Sequence, residues 1–355
     1  MNLLNNKTWL NDIYEALKVL PNLKSLNAKN ILITGASGLI CSAVVDILLL
    51  YNKTAEEKIS IFLAGRNRKR LEERFQFDEN NKYIHYVSYD AIVGTIKLDT
   101  TVDYIIHGAS NSLPSQYVNE PAGTILGNVL GVKILLDILK KQGFGKLLYI
   151  SSSEVYGKKE SNLPFQENEY GYVDILNARN SYPMGKRAAE SLCAAYAREY
   201  NVQTVIARPG HIYGPTASSN DTRISSYWAY SVACGKDINM KSDGLQIRSY
   251  CYCLDCATAI LTILLCGKCA EAYNISNKKS IISIKDMAKL LCKYGNVKLI
   301  QEQVSTIEKS LFNPMDNSSL NSSKLQYLGW SGIFDANTGL EHTVAILKDI
   351  IDIKN

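Results

Sequence analysis

Apolar residues along this chain follow two spacings, and the change between them divides it. Between positions 8 and 20 they recur at helical intervals, as Trp9, Ile13, Leu17 and Leu20, with Pro21 closing the run. Residues 1–28 therefore read as an added helical segment with no assigned chemistry. From Asn30 onward short apolar runs alternate with longer periodic ones. Strands are expected at 31–33, 59–63, 83–87, 102–106, 147–150 and 203–207. Helices are expected at 39–51, 124–142 and 182–200. Strands alternating with helices imply an α/β fold with a parallel, doubly wound sheet. After Pro209 the alternation loosens into loops, short strands and helices. The expected division is 1–28, 29–208 and 209–355. No flexible linker separates the last two parts, so a close or interleaved packing is expected.

Composition narrows the function classes. Hydrophobic residues make up 46% and charged residues 21%, enough for a substantial core. A net charge of +5 without a long basic tract argues against a nucleic-acid partner and leaves room for an anionic ligand. The apolar run 43–50 is short and contains Asp46, so no membrane span is expected. The N-terminus lacks a basic-then-apolar leader pattern, which makes the cytoplasm the expected compartment. Five of the nine cysteines cluster at Cys251, Cys253, Cys256, Cys266 and Cys269. The Cys266–Cys269 spacing is ligand-like. The first three lie in an apolar strand-to-helix segment, where a thiol packs as a small hydrophobe, and no metal site is assigned.

Three constellations carry chemistry. In the first, residues 31–41 take a strand through Gly35, Ser37 and Gly38 into a helix that begins with Leu39 and Ile40. Gly35 permits the turn, Gly38 admits a diphosphate, and the helix N-terminus faces its charge. Cys41 occupies the usual third glycine position. The second lies at the end of the second strand. No acidic residue stands there to accept from a ribose hydroxyl, whereas Arg66, with Arg68 or Arg70, suits a 2′-phosphate. This favours NADP over NAD, with Asp90 positioned to accept from the adenine amino group. The third pairs Ser152, after the fifth strand, with Tyr182 and Lys186, four apart on one helical face. A nearby ammonium together with the positive nicotinamide ring is expected to lower the tyrosine pKa, so that the phenolate takes a hydroxyl proton while Ser152 hydrogen-bonds the same hydroxyl.

Taken in this order, the motifs resemble the extended short-chain dehydrogenase/reductases, in particular their nucleotide-sugar epimerases, dehydratases and decarboxylases. The likeness also takes in residues 107–110, 128–131, 208–215, 248–250 and 328–330. It implies a Rossmann-type domain over 29–208 and a nucleotide-sugar-binding lobe over 209–355. It implies Ser152, Tyr182 and Lys186 as catalytic residues, with Ala109 at the cofactor. Substrate contacts are implied at Ser110, Asn128, Ser153, His211 and Arg248, the arginine gripping phosphates. Homodimers formed through helices 124–142 and 182–200 are usual in such proteins. Glu154 distinguishes the reactions. Dehydratases carry a glutamate there to remove the C5 proton of a 4-keto sugar, and the Ser153–Glu154 pair resembles both the GDP-mannose 4,6-dehydratases and the decarboxylases acting on a nucleotide-linked glucuronate. The expectation is a nucleotide-sugar lyase of one of these two kinds. A 4-epimerase or 4-ketoreductase is the alternative, and a non-catalytic NADP sensor a remote one. Nucleotide and sugar stay open.

Overall fold

The computed structural model describes residues 3–75, 82–302 and 316–352. Seven strands come first: β1 (Asn30–Thr34), β2 (Ser60–Gly65), β3 (Ile84–Asp90), β4 (Thr95–Ile96), β5 (Tyr104–His107), β6 (Lys146–Ile150) and β7 (Gln203–Pro209). A later strand, β11 (Glu271–Ile275), joins them in one sheet ordered β11-β7-β6-β5-β1-β2-β3-β4. All pairings are parallel except that of the short edge strand β4 with β3. The central strands read as unbroken apolar runs because helices cover both faces; Ile31, Leu32 and Ile33 of β1 are all 0% exposed. β1 lies between β2 and β5, so the loops leaving β1 and β5 diverge and open a crevice at their carboxyl ends.

The helices between strands are α2 (Leu39–Thr54), α3 (Arg68–Phe75), α4 (Pro114–Asn119), α5 (Pro121–Gln142) and α6 (Ser181–Tyr200). α5 starts three residues earlier than the periodicity indicated, because Pro121 supplies the first-turn residue whose missing N–H costs nothing there. By length and composition α5 is apolar enough to cross a bilayer. Here it packs against α6 and β6.

The chain after Pro209 does not stay in one lobe. β8 (His211–Tyr213), β10 (Ile247–Tyr252) and β12 (Ile281–Ser283) form one small sheet; β9 (Ile238–Met240) and β13 (Leu299–Gln301) form another. α7 (Ile224–Ala233), α9 (Ile284–Gly295), α10 (Ser323–Gln326) and α11 (Ala336–Asp352) complete this region. Between them α8 (Cys253–Cys266) packs on α2, and β11 extends the main sheet beside β7. Cys251, Cys253 and Cys256 are each 0% exposed at this junction.

The N-terminal segment is helix α1 (Lys7–Lys18), capped by Asn6, and it is tied down by buried polar contacts. Trp9 Nε1 donates to Asp46 on α2 at 2.9 Å, and Arg74 donates to the same carboxylate. Asp12 accepts from the Tyr252 hydroxyl at 2.9 Å and from His342 Nδ1 of α11 at 3.0 Å. The Asp12 hydrogen bond raises the His342 pKa above its ordinary value. This contribution to stability is complete below the unfolded pKa of about 6.5 and is lost as pH rises through the higher folded value. The Tm difference between the wild type and His342→Gln is therefore expected to be widest near pH 6 and to close in alkali. A pH-independent difference would show that the imidazole charge plays no part.

Candidate active site

The crevice begins at the turn after β1. Gly35 has φ +66°, and a Cβ there would stand 2.9 Å from Gly108 C and Ala109 N. Gly38 N donates to Gly35 O at 2.9 Å and precedes α2 without any side-chain cap, leaving first-turn N–H groups available to an anion. The Thr34 hydroxyl accepts from Gly108 N and Ala109 N, both at 3.2 Å, and lies 2.7 Å from His107 Nδ1. With its lone pairs so used, Thr34 gives its proton to His107, whose Nε2 then carries the ring hydrogen. Burial holds the His107 pKa down to about 3, so the ring is neutral.

A cavity of about 520 Å³ runs along this turn. Its lining includes Gly35, Ser37, Gly38, Leu39, Ile40, Arg66, Asp90, Ala109 and Ser110, nine of the residues singled out in the sequence. Arg66 and Arg70 are exposed at its rim, whereas Arg68 turns away to pair with Glu72 at 2.8 Å. One oxygen of Asp90 accepts from Ile92 N and Val93 N. The free first turn of α2, the close-packed Gly35 and the rim guanidiniums together fit a dinucleotide diphosphate with a phosphorylated ribose.

The third constellation meets the inner end of the cavity at Ile150, which lines it and closes β6. Lys186 Nζ donates to Ile150 O at 2.7 Å and lies 4.7 Å from the Tyr149 ring centroid. Ser152 caps a single 3-10 turn, Ser153–Tyr156, by accepting from Glu154 N at 3.2 Å. Ser153 opens that turn. Lys186 does not dominate Tyr182: its ammonium is turned to Ile150 O, 5.7 Å from the tyrosine ring centroid. Burial pushes the Tyr182 pKa above its ordinary value, against the lowering influence of Ser152 and Arg223. Burial likewise brings Lys186 down to about 7.

Glu154 is half-buried, and desolvation raises its carboxyl pKa against the pull of Arg179 and Arg248. Arg248 on β10 is 4% exposed and donates to Ile247 O. His211 on β8 meets Tyr250 edge-on at 5.7 Å, and burial with Arg248 and Arg223 lowers its pKa to about 3. Asn128 departs from the role implied for it. It is 1% exposed and sits behind the cleft, accepting from Ser110 Oγ and Tyr149 OH at 3.1 Å each and donating to Thr124 O. Its polar atoms thus link α5 to β6 and orient Ser110.

Three residues here went unassigned in the sequence. Arg223, paired with Asp221, lines the cavity and acts electrostatically on Tyr182 and His211. Its only sequence signal is the short Asp221–Arg223 spacing. Arg179 acts on Glu154 from the 3-10 turn Ala178–Asn180. Tyr117 on α4 stacks on Tyr182 at 5.3 Å and 19°, and Glu154 helps burial raise its pKa to about 12. No local pattern marks it.

Cys41 at the third glycine position leaves no room opposite: a Cβ on Gly108 would lie 2.4 Å from its sulfur. Gly108→Ala is expected to cost about 1–3 kcal/mol by overpacking, and Cys41→Ala in the same chain to restore most of it. Urea unfolding checks this. A double variant as unstable as Gly108→Ala alone would rule out the contact.

Known proteins share this fold and family. The profile of the family described as the NAD dependent epimerase/dehydratase family matches residues 31–276. The chain is 28% identical over 325 residues to UDP-glucuronic acid decarboxylase 1 of Xenopus tropicalis, covering 91% of this chain and 73% of that protein. It is 28% identical over 314 residues to UDP-glucuronic acid decarboxylase 6 of Arabidopsis thaliana, covering 87% and 86% respectively. Its fold matches UDP-glucose 4-epimerase of Thermotoga maritima with a TM-score of 0.75 at 21% identity, over 91% of this chain and 99% of that one. With most of its length matched and the cofactor cradle in place, the chain is an enzyme of the NAD-dependent epimerase/dehydratase family.

Proposed function

We propose that this enzyme is a nucleotide-sugar lyase acting through a 4-keto intermediate, and specifically a decarboxylase of a nucleotide-linked hexuronate such as UDP-glucuronate. The observation that carries this reading is Glu154, a carboxyl of raised pKa beside Ser152 and Tyr182 and facing Arg179 and Arg248. The names of the relatives above favour the same class.

NAD(P) held in the Gly35–Gly38 cradle would supply the oxidant and reductant for C4 and, in its oxidised form, a positive charge favouring the Tyr182 phenolate. The chain's own residues do the rest. Tyr182 takes the C4 hydroxyl proton and later returns it, with Ser152 orienting the hydroxyl. A C4 ketone stabilises the enolate left when carbon dioxide departs from C5. Glu154, protonated more readily than an ordinary carboxyl, is suited to deliver a proton to that carbon. Arg179, Arg223 and Arg248 offer guanidiniums to the substrate's carboxylate and diphosphate. The second reading is a 4,6-dehydratase, in which Glu154 removes the C5 proton, and the Ser153–Glu154 pair is compatible with that reaction as well.

Incubation with UDP-glucuronate and no added reductant is expected to release carbon dioxide, and Glu154→Gln to slow release by about 100-fold or more. Mass spectrometry reads the result. Loss of water from UDP-glucose or GDP-mannose instead favours the dehydratase. Turnover only with stoichiometric NADPH moves the assignment to a ketoreductase. For the cofactor, the rim position of Arg66 supports NADP. Arg66→Ala is expected to weaken NADP binding by about 10-fold while changing NAD binding little. Equal losses for both would remove the 2′-phosphate role.

A further inference from the structure

One turn beyond Lys186 on α6 lies a second buried ionic group. Glu190 is 8% exposed, and both its oxygens accept from Arg208 of β7, Nε to Oε1 at 2.9 Å and Nη2 to Oε2 at 2.6 Å. Arg208 is 1% exposed. Its Nη1 donates to the Tyr156 hydroxyl at 3.0 Å and to Glu167 O at 2.8 Å, and its Nη2 also donates to the Tyr170 hydroxyl at 3.0 Å. Every guanidinium hydrogen therefore has an acceptor. Tyr156 ends the turn that carries Glu154. Arg187, next to Lys186, holds the same turn through the carbonyls of Val155 at 2.6 Å and Tyr156 at 3.3 Å.

We propose that Glu190, oriented by Arg208, is a positioning residue: it is the counter-charge that keeps Lys186 cationic beneath the cofactor cavity. A buried ion pair contributes little net stability, because desolvation of both groups offsets their attraction. Apolar residues at these positions would serve the fold as well. What they would not supply is a negative charge four residues from Lys186, on the same helical face. Lys186 needs one, since its only hydrogen bond among the described residues runs to the Ile150 carbonyl. Among the groups acting on Lys186, Glu190 leads those favouring the charged form. Arg208 prevents the carboxylate from swinging away and links its position to the Glu154 turn.

The charge is readable without knowing the sugar. Ile150 and Cys41, which flank Lys186, both line the cavity, so a bound anionic dinucleotide feels the ammonium. The other titratable groups facing it are Tyr182 on its own helix, Cys41 on α2, His107 on β5 and Tyr149 on β6. Burial raises Tyr182 and Tyr149 further above their usual values, puts Cys41 at about 12 and leaves His107 at about 3. None of these changes charge between about pH 5 and 9, whereas Lys186 does.

The experiment is the affinity of the full chain, stripped of nucleotide, for NADH across that pH range, read by NADH fluorescence. NADH has no group of its own that titrates there. The wild type is expected to lose about 10-fold in affinity as Lys186 deprotonates. Glu190→Gln is expected to move that step to lower pH by about one unit. If the Gln protein does not fold, Glu190→Asp keeps the charge but draws it back by one methylene, and a smaller shift in the same direction is expected. A wild type of flat affinity overturns the proposal, as does a variant with lowered Tm and an unmoved step. The inference rests on the cofactor cavity alone, so failure of the UDP-glucuronate assay leaves it standing.

Discussion

An ammonium held at 3% exposure must replace the water it gave up, and much of this active site follows from how Lys186 does so. The Ile150 carbonyl takes one of its hydrogens, the face of Tyr149 lies beneath it, and Glu190 stands one turn along the helix. Each requirement constrains an element. β6 must run one residue past its pairing with β5, so that the Ile150 carbonyl is turned to Lys186. α6 must turn its Lys186 face toward the sheet. β7 must pair with β6 in the register that sets Ile150 beside Ala207, because only then does Arg208 come out beneath Glu190. Packing of α6 over adjacent parallel strands is thus a condition for the charge, as well as for the core.

The remaining charges follow from burial more than from pairwise attraction. Burial raises the Tyr182 phenol and the Glu154 carboxyl above their ordinary values, while His211 stays neutral. Arg179, Arg223 and Arg248 surround them. The cleft therefore combines guanidiniums with acids that resist ionisation, an arrangement that receives an anionic substrate and still has protons to move.

Two parts of the chain meet to make it. The main sheet supplies the cradle, Ser152, Tyr182 and Lys186. The chain beyond Pro209 supplies His211, Arg223 and Arg248, and it is anchored by returning to the sheet through α8 and β11. Thr216 donates to Leu39 O at 2.7 Å, so the loop bearing Arg223 is fastened to the first turn of α2. The N-terminal helix, which contributes no group to the cavity, closes the opposite side through Trp9 and Asp12.

By itself the sequence determined the parallel sheet, the glycine turn at 35–38, the basic rim after β2 and the Ser152, Tyr182 and Lys186 set. All of these depend on spacing within one or two neighbouring elements, and such spacing survives as a linear pattern. Tertiary structure alone decided that Asn128 lies behind the cleft and that Arg68 turns away while Arg66 faces in. It also brought Tyr117, Arg179, Arg223 and the Glu190–Arg208 pair to the Ser152, Tyr182 and Lys186 set. The direction of the Tyr182 shift belongs here too. A lysine four residues away on a helix suggests a lowered pKa, but the outcome is set by how much water the fold removes from both groups. That depends on residues from β5, β6 and α4 that no local spacing identifies.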